Sequence, residues 1–359
     1  MRTSGAVIRL RHSNNGNNAG KPPLLLVHGN PQNHTCWYKI AARLAKNFHV
    51  ILPDLRGYGR TTGWDDRYDT DLREFGLLNY VRDALALVST LGYRSVAAVV
   101  GHDFGSVVAP WCPLVRPDVF RSVVLMSAPF AGPPPLPQTS GATTSEDLDA
   151  ALARLQPPRK QYRRYYATRE ANAHMVHPPQ GLHAFLRAYY HMKSADWPGN
   201  RPAPLSGATA SEYAKLPAYY VMPLQATMPE AVAGAMPSAA GIAACRWLTE
   251  PELDIYTAEY ARTGFQGGLD GYRVRLTEAH TRELQLFAGR TVDVPALFIG
   301  GTSDWGVHQT PGALESMRRT AFTQLDDVVL VDGAGHWVQQ EQPEAVTKRL
   351  LSFLERRAR

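Results

Sequence analysis

What this chain of 359 residues lacks narrows its function before any motif is read. It contains no run of eighteen continuous apolar residues, so no membrane span is expected. Its first residues hold no long apolar segment of the kind a secretory leader needs. Cysteine is scarce: Cys36, Cys112 and Cys245 are widely spaced, with no CxxC pair and no disulfide framework, and read as free thiols. Lys and Arg exceed Asp and Glu by 38 to 32, a net charge of +6, but no dense basic tract accompanies the excess. A basic outer surface accounts for it, and nucleic acid is not an expected partner. Metal-ligand spacing is missing as well. His174 and His177 run into Pro178-Pro179 with no acidic pair beside them. These absences predict a soluble, cytoplasmic protein with no metal.

Apolar residues make up 44% of the chain, enough for a large core, and 29 Gly with 27 Pro imply many turns and long loops. Residues 6–10 read as a first strand and the polar, Gly/Asn-rich residues 13–20 as a hairpin or exposed turn. Short apolar runs at residues 24–27, 50–52, 96–100 and 122–126 read as buried strands. Residues 79–91 carry apolar side chains at Val81, Leu85, Val88 and Leu91, the spacing of a helix that Gly92 closes. A helix after residue 105 is expected to end at Pro113. This alternation predicts a mostly parallel sheet with helices on both faces. The pattern breaks after residue 130, where Gly and Pro dominate. It gives way to a Tyr-, His-, Met- and Pro-rich stretch of helical pieces, then resumes with strands at 294–299 and 328–331 and a helix at 343–354. Residues 1–130 and 287–359 are therefore expected to form one core, and residues 131–286 an inserted cap. Met175, Tyr189, Met192, Met222 and Trp247 either line a pocket there or fill the cap's own core.

The residues that carry chemistry sit where strands end. Gly101-His102-Asp103-Phe104-Gly105 follows an apolar strand and opens a helix, the strand–turn–helix setting of a nucleophile elbow. An aspartate occupies the place usually held by serine. A carboxylate there attacks carbon and yields an alkyl ester that water must then hydrolyse, which points to epoxides or haloalkanes rather than ordinary esters. Asp304, just past a strand, is placed to orient a histidine. His336, in Gly333-Ala334-Gly335-His336-Trp337 after another strand, is the natural base, with an unperturbed pKa of about 6.5. The loop His28-Gly29-Asn30-Pro31 and the residue after Asp103 supply candidate oxyanion donors, the backbone amides of Asn30 and Phe104. His28 is expected to brace that loop, and Pro31 is a candidate cis proline.

HGNPQNHTCW, PDLRGYG, VGHDFG, GTSDWG and GAGHWVQQEQPE, in this order along nearly the whole chain, resemble the epoxide hydrolase and dehalogenase branch of the α/β-hydrolases. The resemblance implies an α/β-hydrolase core with a mostly parallel central sheet and an inserted, mainly helical cap. It implies a cofactor-independent enzyme acting on a small-molecule epoxide and water; the size of that substrate stays open, as does the choice between monomer and homodimer. The segment 260–273 is similar to one that ends in a ring-opening tyrosine in soluble epoxide hydrolases, which selects Tyr272. Residues 161–166 resemble the segment carrying a second cap tyrosine, with Tyr162 the best match and Tyr165 and Tyr166 as substitutes. The expected pocket lining is His28, Pro31, Tyr165, Tyr166, Trp305 and Trp337. Two departures bear on the alternative, a haloalkane or haloacid dehalogenase using the same aspartate. Phe104 lacks the indole donor that holds halide in haloalkane dehalogenases. Phe104 and Val107 stand where fluoroacetate dehalogenases place carboxylate-binding arginines. Asn30, by contrast, resembles the halide-holding asparagine. A non-catalytic small-molecule receptor on the same scaffold is the remaining reading.

Overall fold

A computed structural model describes residues 7–12, 18, 20–137 and 147–356. Its strands are β1 (Leu10–His12), β2 (Pro23–Val27), β3 (His49–Pro53), β4 (Ala98–His102), β5 (Val123–Met126), β6 (Arg159–Gln161), β7 (Val221–Pro223), β8 (Ala296–Gly301) and β9 (Leu325–Val331). The helices that matter below are α1 (Tyr38–Leu44), α2 (Leu77–Thr90), α3 (Phe104–Val108), α4 (Trp111–Val115), α5 (Tyr162–Tyr166), α6 (Leu182–Lys193), α7 (Gln266–Arg273) and α8 (Pro343–Glu355). Seven strands form one sheet in the order β1-β3-β2-β4-β5-β8-β9. All its pairings are parallel except β1 on β3, which is antiparallel and closes one edge.

Strand periodicity explains why the sheet is covered on both faces. Leu25 and Val27 of β2, Val99 of β4, Val123 and Leu125 of β5 and Phe298 of β8 point into one core cluster. Their neighbours Leu24, Leu26, Val100, Val124, Met126 and Ile299 point into the other, against α1 and α8. The first cluster continues without interruption into the cap, where it takes in Met175, Tyr189, Met192, Met222 and Trp247. Sheet order places β5 beside β8, although β6, β7 and the cap helices lie between them in sequence.

Several boundaries differ from the sequence expectation for local reasons. The first strand is described only from Leu10, preceded by an isolated bridge from Val7 to Thr62. Residue 6 and most of the expected turn at 13–20 lie outside the described residues. Strand β4 runs on to His102, so the elbow follows it directly. The helix after the elbow does not end at Pro113. It breaks at Pro110, and Pro113 lies inside α4. As the third residue of α4, Pro113 forfeits only an N–H that has no intrahelical partner there. The cap holds one antiparallel strand pair, β6 on β7; three-residue strands are too short to show alternation in sequence. Among the described residues no helix is long and apolar enough to cross a membrane.

The elbow itself is closed by glycine. A Cβ on Gly105 would lie 2.1 Å from the Val27 carbonyl oxygen, and one on Gly101 2.1 Å from that of Gly105. Helix α3 can therefore sit directly on β2 and β4. Gly105→Ala should destabilise the fold by about 1–3 kcal/mol through overpacking and lower its denaturation midpoint. An unchanged midpoint would contradict this close approach.

Candidate active site

Asp103 stands alone between β4 and α3, at φ 52° and ψ −113°. This left-handed backbone costs a non-glycine residue on the order of 1–3 kcal/mol. The surroundings impose it: Asp103 N–H donates to Met126 C=O at 3.2 Å, and Asp103 C=O accepts from Ser106 N–H at 3.0 Å. The Asn30 backbone N–H donates to Asp103 Oδ1 at 2.8 Å. Gly29 allows that approach, since a Cβ there would lie 2.3 Å from the Asp103 Cβ. The Asn30–Pro31 peptide is cis. His28 braces the loop: its Nδ1 meets Gly29 C=O at 2.9 Å and its Nε2 accepts from Leu55 N–H at 3.0 Å. Burial lowers its pKa to about 4, so it stays neutral in this role. Phe104 opens α3, and its N–H is one of the first-turn amides left without an intrahelical acceptor.

His336 lies beyond β9 and joins two carboxylates. Its Nε2 is 3.1 Å from Asp103 Oδ2 and its Nδ1 is 3.1 Å from Asp304 Oδ1. Asp304, beyond β8, also accepts Gly306 N–H on Oδ1 at 2.7 Å. Ser127 Oγ, just past the end of β5, lies 2.8 Å from the same His336 Nδ1. Burial opposes charge on Asp103, but the hydrogen bond to His336 and the Lys193 ammonium hold its carboxyl well below the usual range. Burial likewise opposes charge on Asp304, and His336, Ser127 and Gly306 N–H outweigh it. For His336, burial and Lys193 push the pKa down, while Asp304 and the bonds to both carboxylates raise it above 6.5 overall. With Asp103 ionised, His336 is thus held toward imidazolium.

Above this group sit the cap tyrosines. The Tyr272 ring lies 5.7 Å from that of Phe104, 5.9 Å from Tyr162 and 5.2 Å from Tyr166. Helix α7 reaches down this far because its glycines meet the core without side chains: Gly267 against Gly57, Gly268 against Tyr58 and Gly271 against Phe104. Tyr166 and Tyr189 share a hydroxyl contact of 3.4 Å. Burial first, and then the nearby Asp103 charge, raise the Tyr272 pKa far above 10, so its phenol carries a proton. Trp337 packs on His336 and Tyr190, and its Nε1–H donates to Tyr190 C=O. Trp305 is buried next to Asp304, its Nε1 without a hydrogen-bond partner among the described residues. Tyr165 turns elsewhere: its ring stacks on His174 and lies under Lys160. Among the described residues no group of three or more His, Cys, Asp or Glu is placed to hold a metal.

The sequence reading missed three residues. Ser127 follows a strand like any turn residue, and only its contact with His336 distinguishes it. Lys193 is buried at the end of α6, with its Nζ 5.1–5.6 Å from the ring centres of Tyr189, Tyr219, Tyr220 and Trp337. Glu341 falls within the same motif as His336. Its Oε2 accepts from Ala195 and Gly335 N–H and its Oε1 from Trp337 N–H, at 2.8–2.9 Å. His336 N–H donates to Lys193 C=O at 2.9 Å, so the histidine loop is tied to α6 at several points. Glu341→Ala should cost about 1–3 kcal/mol and loosen His336, lowering the melting temperature and turnover together. Wild-type stability in that variant would refute the clamp.

Comparison with known proteins agrees with this architecture. The alpha/beta hydrolase fold family matches residues 22–343. Epoxide hydrolase A of Mycobacterium tuberculosis (strain H37Rv) is 30% identical, over 93% of this chain and 91% of its own length. An epoxide hydrolase from an endophytic Streptomyces superposes with a TM-score of 0.74 at 28% identity, covering 98% of this chain and 96% of that one. Epoxide hydrolase I of potato (Solanum tuberosum) gives 0.74 at 25% identity, covering 99% and 98%. With a sheet, an elbow and an overlying cap in the same arrangement, this chain belongs to the α/β-hydrolase fold family.

Proposed function

We propose that this protein is an epoxide hydrolase that forms a covalent ester on Asp103. The observation that carries the reading is an aspartate, not a serine, at the strained elbow, with one oxygen on Asn30 N–H and the other facing His336. The epoxide hydrolases to which the chain is similar support it. The epoxide oxygen sits against the Tyr162 and Tyr272 hydroxyls. Asp103 Oδ2 attacks a ring carbon from the opposite side, the C–O bond breaks, and a phenol protonates the departing oxygen. The product of this step is a hydroxyalkyl ester. A water then gives its proton to His336 and attacks the ester carbonyl carbon, with the oxyanion held by the Asn30 and Phe104 amides. Collapse breaks the bond to the alkyl oxygen, the His336 proton passes to that oxygen to give a vicinal diol, and the proton left on the new Asp103 carboxyl returns to the phenol.

Ester formation also resets the base. It removes the Asp103 charge that helps to raise the His336 pKa, so the imidazole loses its proton more readily when a base is required. In this reading Asp304 and Ser127 hold the ring, and His28, Pro31, Tyr166, Trp305 and Trp337 shape the pocket. Residues 131–286 act as the cap over a core of residues 1–130 and 287–359, which the adjacency of β5 and β8 supports. A cytoplasmic location belongs to the same reading and accords with three free cysteines. One observation favours a haloalkane dehalogenase as second reading: the Asn30 side-chain Nδ2 is buried without a hydrogen-bond partner among the described residues, a donor open to halide.

Matched epoxides and haloalkanes, assayed for diol and halide in parallel, separate the two readings. Diol without halide is expected; halide release with poor epoxide turnover would reverse the ranking. His336→Gln should slow ester hydrolysis by about 10²–10⁴-fold and leave an adduct on Asp103 visible by intact mass. Full turnover without adduct would remove His336 from the base role. Lys193→Met removes a cation that depresses the His336 pKa, so the acid limb of kcat should move to higher pH. An unmoved limb would refute that coupling.

A further inference from the structure

Resting on the epoxide hydrolase reading, we propose that Arg163 and Arg275 form an anion subsite beside the two cap tyrosines, and that the substrates it selects are epoxides carrying a carboxylate.

The two arginines stand out by what they do not touch. Their neighbours have acidic partners: Arg164 pairs with Asp149, Arg169 with Asp69, Arg273 with Asp270 and Arg282 with Glu278. Glu283, on the helix that follows Arg275, faces His280. Arg163 has no carboxylate within ion-pair distance among the described residues. Its Nε donates to Tyr162 Oη at 3.3 Å, and its Nη2 makes only a long contact of 3.5 Å to Gln309 Oε1. The Arg275 side chain makes no hydrogen bond or ion pair among the described residues. Both side chains are half-buried. Withdrawing a guanidinium from water without an ion-pair partner is costly: burial first, and then Arg163, lower the Arg275 pKa, and Tyr162, Tyr272 and the Asp103 charge offset this only in part.

Position ties the pair to the chemistry. Arg163 follows Tyr162 at the start of α5, and its guanidinium lies 5.6 Å from the Tyr162 ring centre. Arg275 follows Tyr272 by three residues, in the turn of 3-10 helix that continues α7. The Tyr162 and Tyr272 rings are 5.9 Å apart, and each arginine lies within three residues of one of these phenols. A small cleft of about 80 Å³, lined by Tyr162, Arg163, Tyr220 and Gln309 among others, opens on the Arg163 side. Lys193 does not compete for the same ligand, since aromatic rings enclose its ammonium. A planar carboxylate suits guanidinium forks, and it would supply the ion-pair partner that neither arginine has among the described residues.

The test compares 3-phenylglycidate with its primary amide, nearly equal in size and differing in charge. Arg275→Gln is the informative variant, because no hydrogen bond or ion pair joins the Arg275 side chain to the described residues assigned to the reaction, whose charges it meets only through space. It should raise KM for the acid about tenfold or more and leave KM for the amide within about twofold. Arg275→Lys should restore part of the acid's affinity. Added salt should weaken the acid in the wild type and spare the amide. Equal effects on both substrates, or none on either, would overturn the subsite while leaving the epoxide hydrolase reading in place. Failure of the wild type to open either epoxide would overturn that reading and this inference with it.

Discussion

An ionised carboxylate buried at the ends of parallel strands is the constraint around which this molecule is organised. Withdrawing such a charge from water costs several kcal/mol unless donors replace the water. Asp103 receives them from three directions: the Asn30 amide, the His336 ring and, at longer range, the Lys193 ammonium. Each donor depends on something further out. The amide depends on Gly29 and the neutral His28 brace. The ring depends on Asp304 and Ser127. The ammonium depends on aromatic rings contributed by the cap and by Trp337. Moving any one of them alters the charge state of the group beside it.

Where strands end was legible in the sequence because buried parallel strands are continuous apolar runs, and the polar residue that stops each run is conspicuous. Asp103, Asp304 and His336 were found this way, and the structure brings all three within hydrogen-bond reach. Tyr162 and Tyr272 were selected by resemblance, and their rings do meet. What stayed hidden was everything decided by contacts between distant segments. Ser127, Lys193 and Glu341 have no local pattern, since their partners lie 209, 143 and 146 residues away at His336 and Ala195. Tyr165 and Tyr166 are adjacent in sequence and helical, so they point apart. Only packing determined that Tyr166 meets Tyr272 while Tyr165 meets His174. Pro113 misled because a proline ends a helix only beyond its first turn, and the sequence did not show that a new helix starts at residue 111.

The cap and core are coupled on the histidine side by backbone and carboxylate rather than by apolar surface alone. Glu341 gathers amides from both sides of His336 and from Ala195, two residues past α6, and Lys193 supplies both a carbonyl to His336 and a charge to its neighbours. The same few residues therefore set the orientation of the base and its affinity for a proton. This links two properties that are separable in principle, and it places the lower part of α6 with the machinery of the core rather than with the lid.

The two phenols have different foundations. Tyr272 is carried by a helix whose glycines rest on the backbone of Gly57 and on the rings of Tyr58 and Phe104, a seat with no side chain to flex. Tyr162 is carried by the β6–β7 pair, through its N–H to Tyr220 C=O. An outward swing of that strand pair would leave one phenol in place and draw the other away. The gap between them would then measure how far the enzyme has closed on its substrate, and an oxygen atom would be gripped from two sides only when entry is complete.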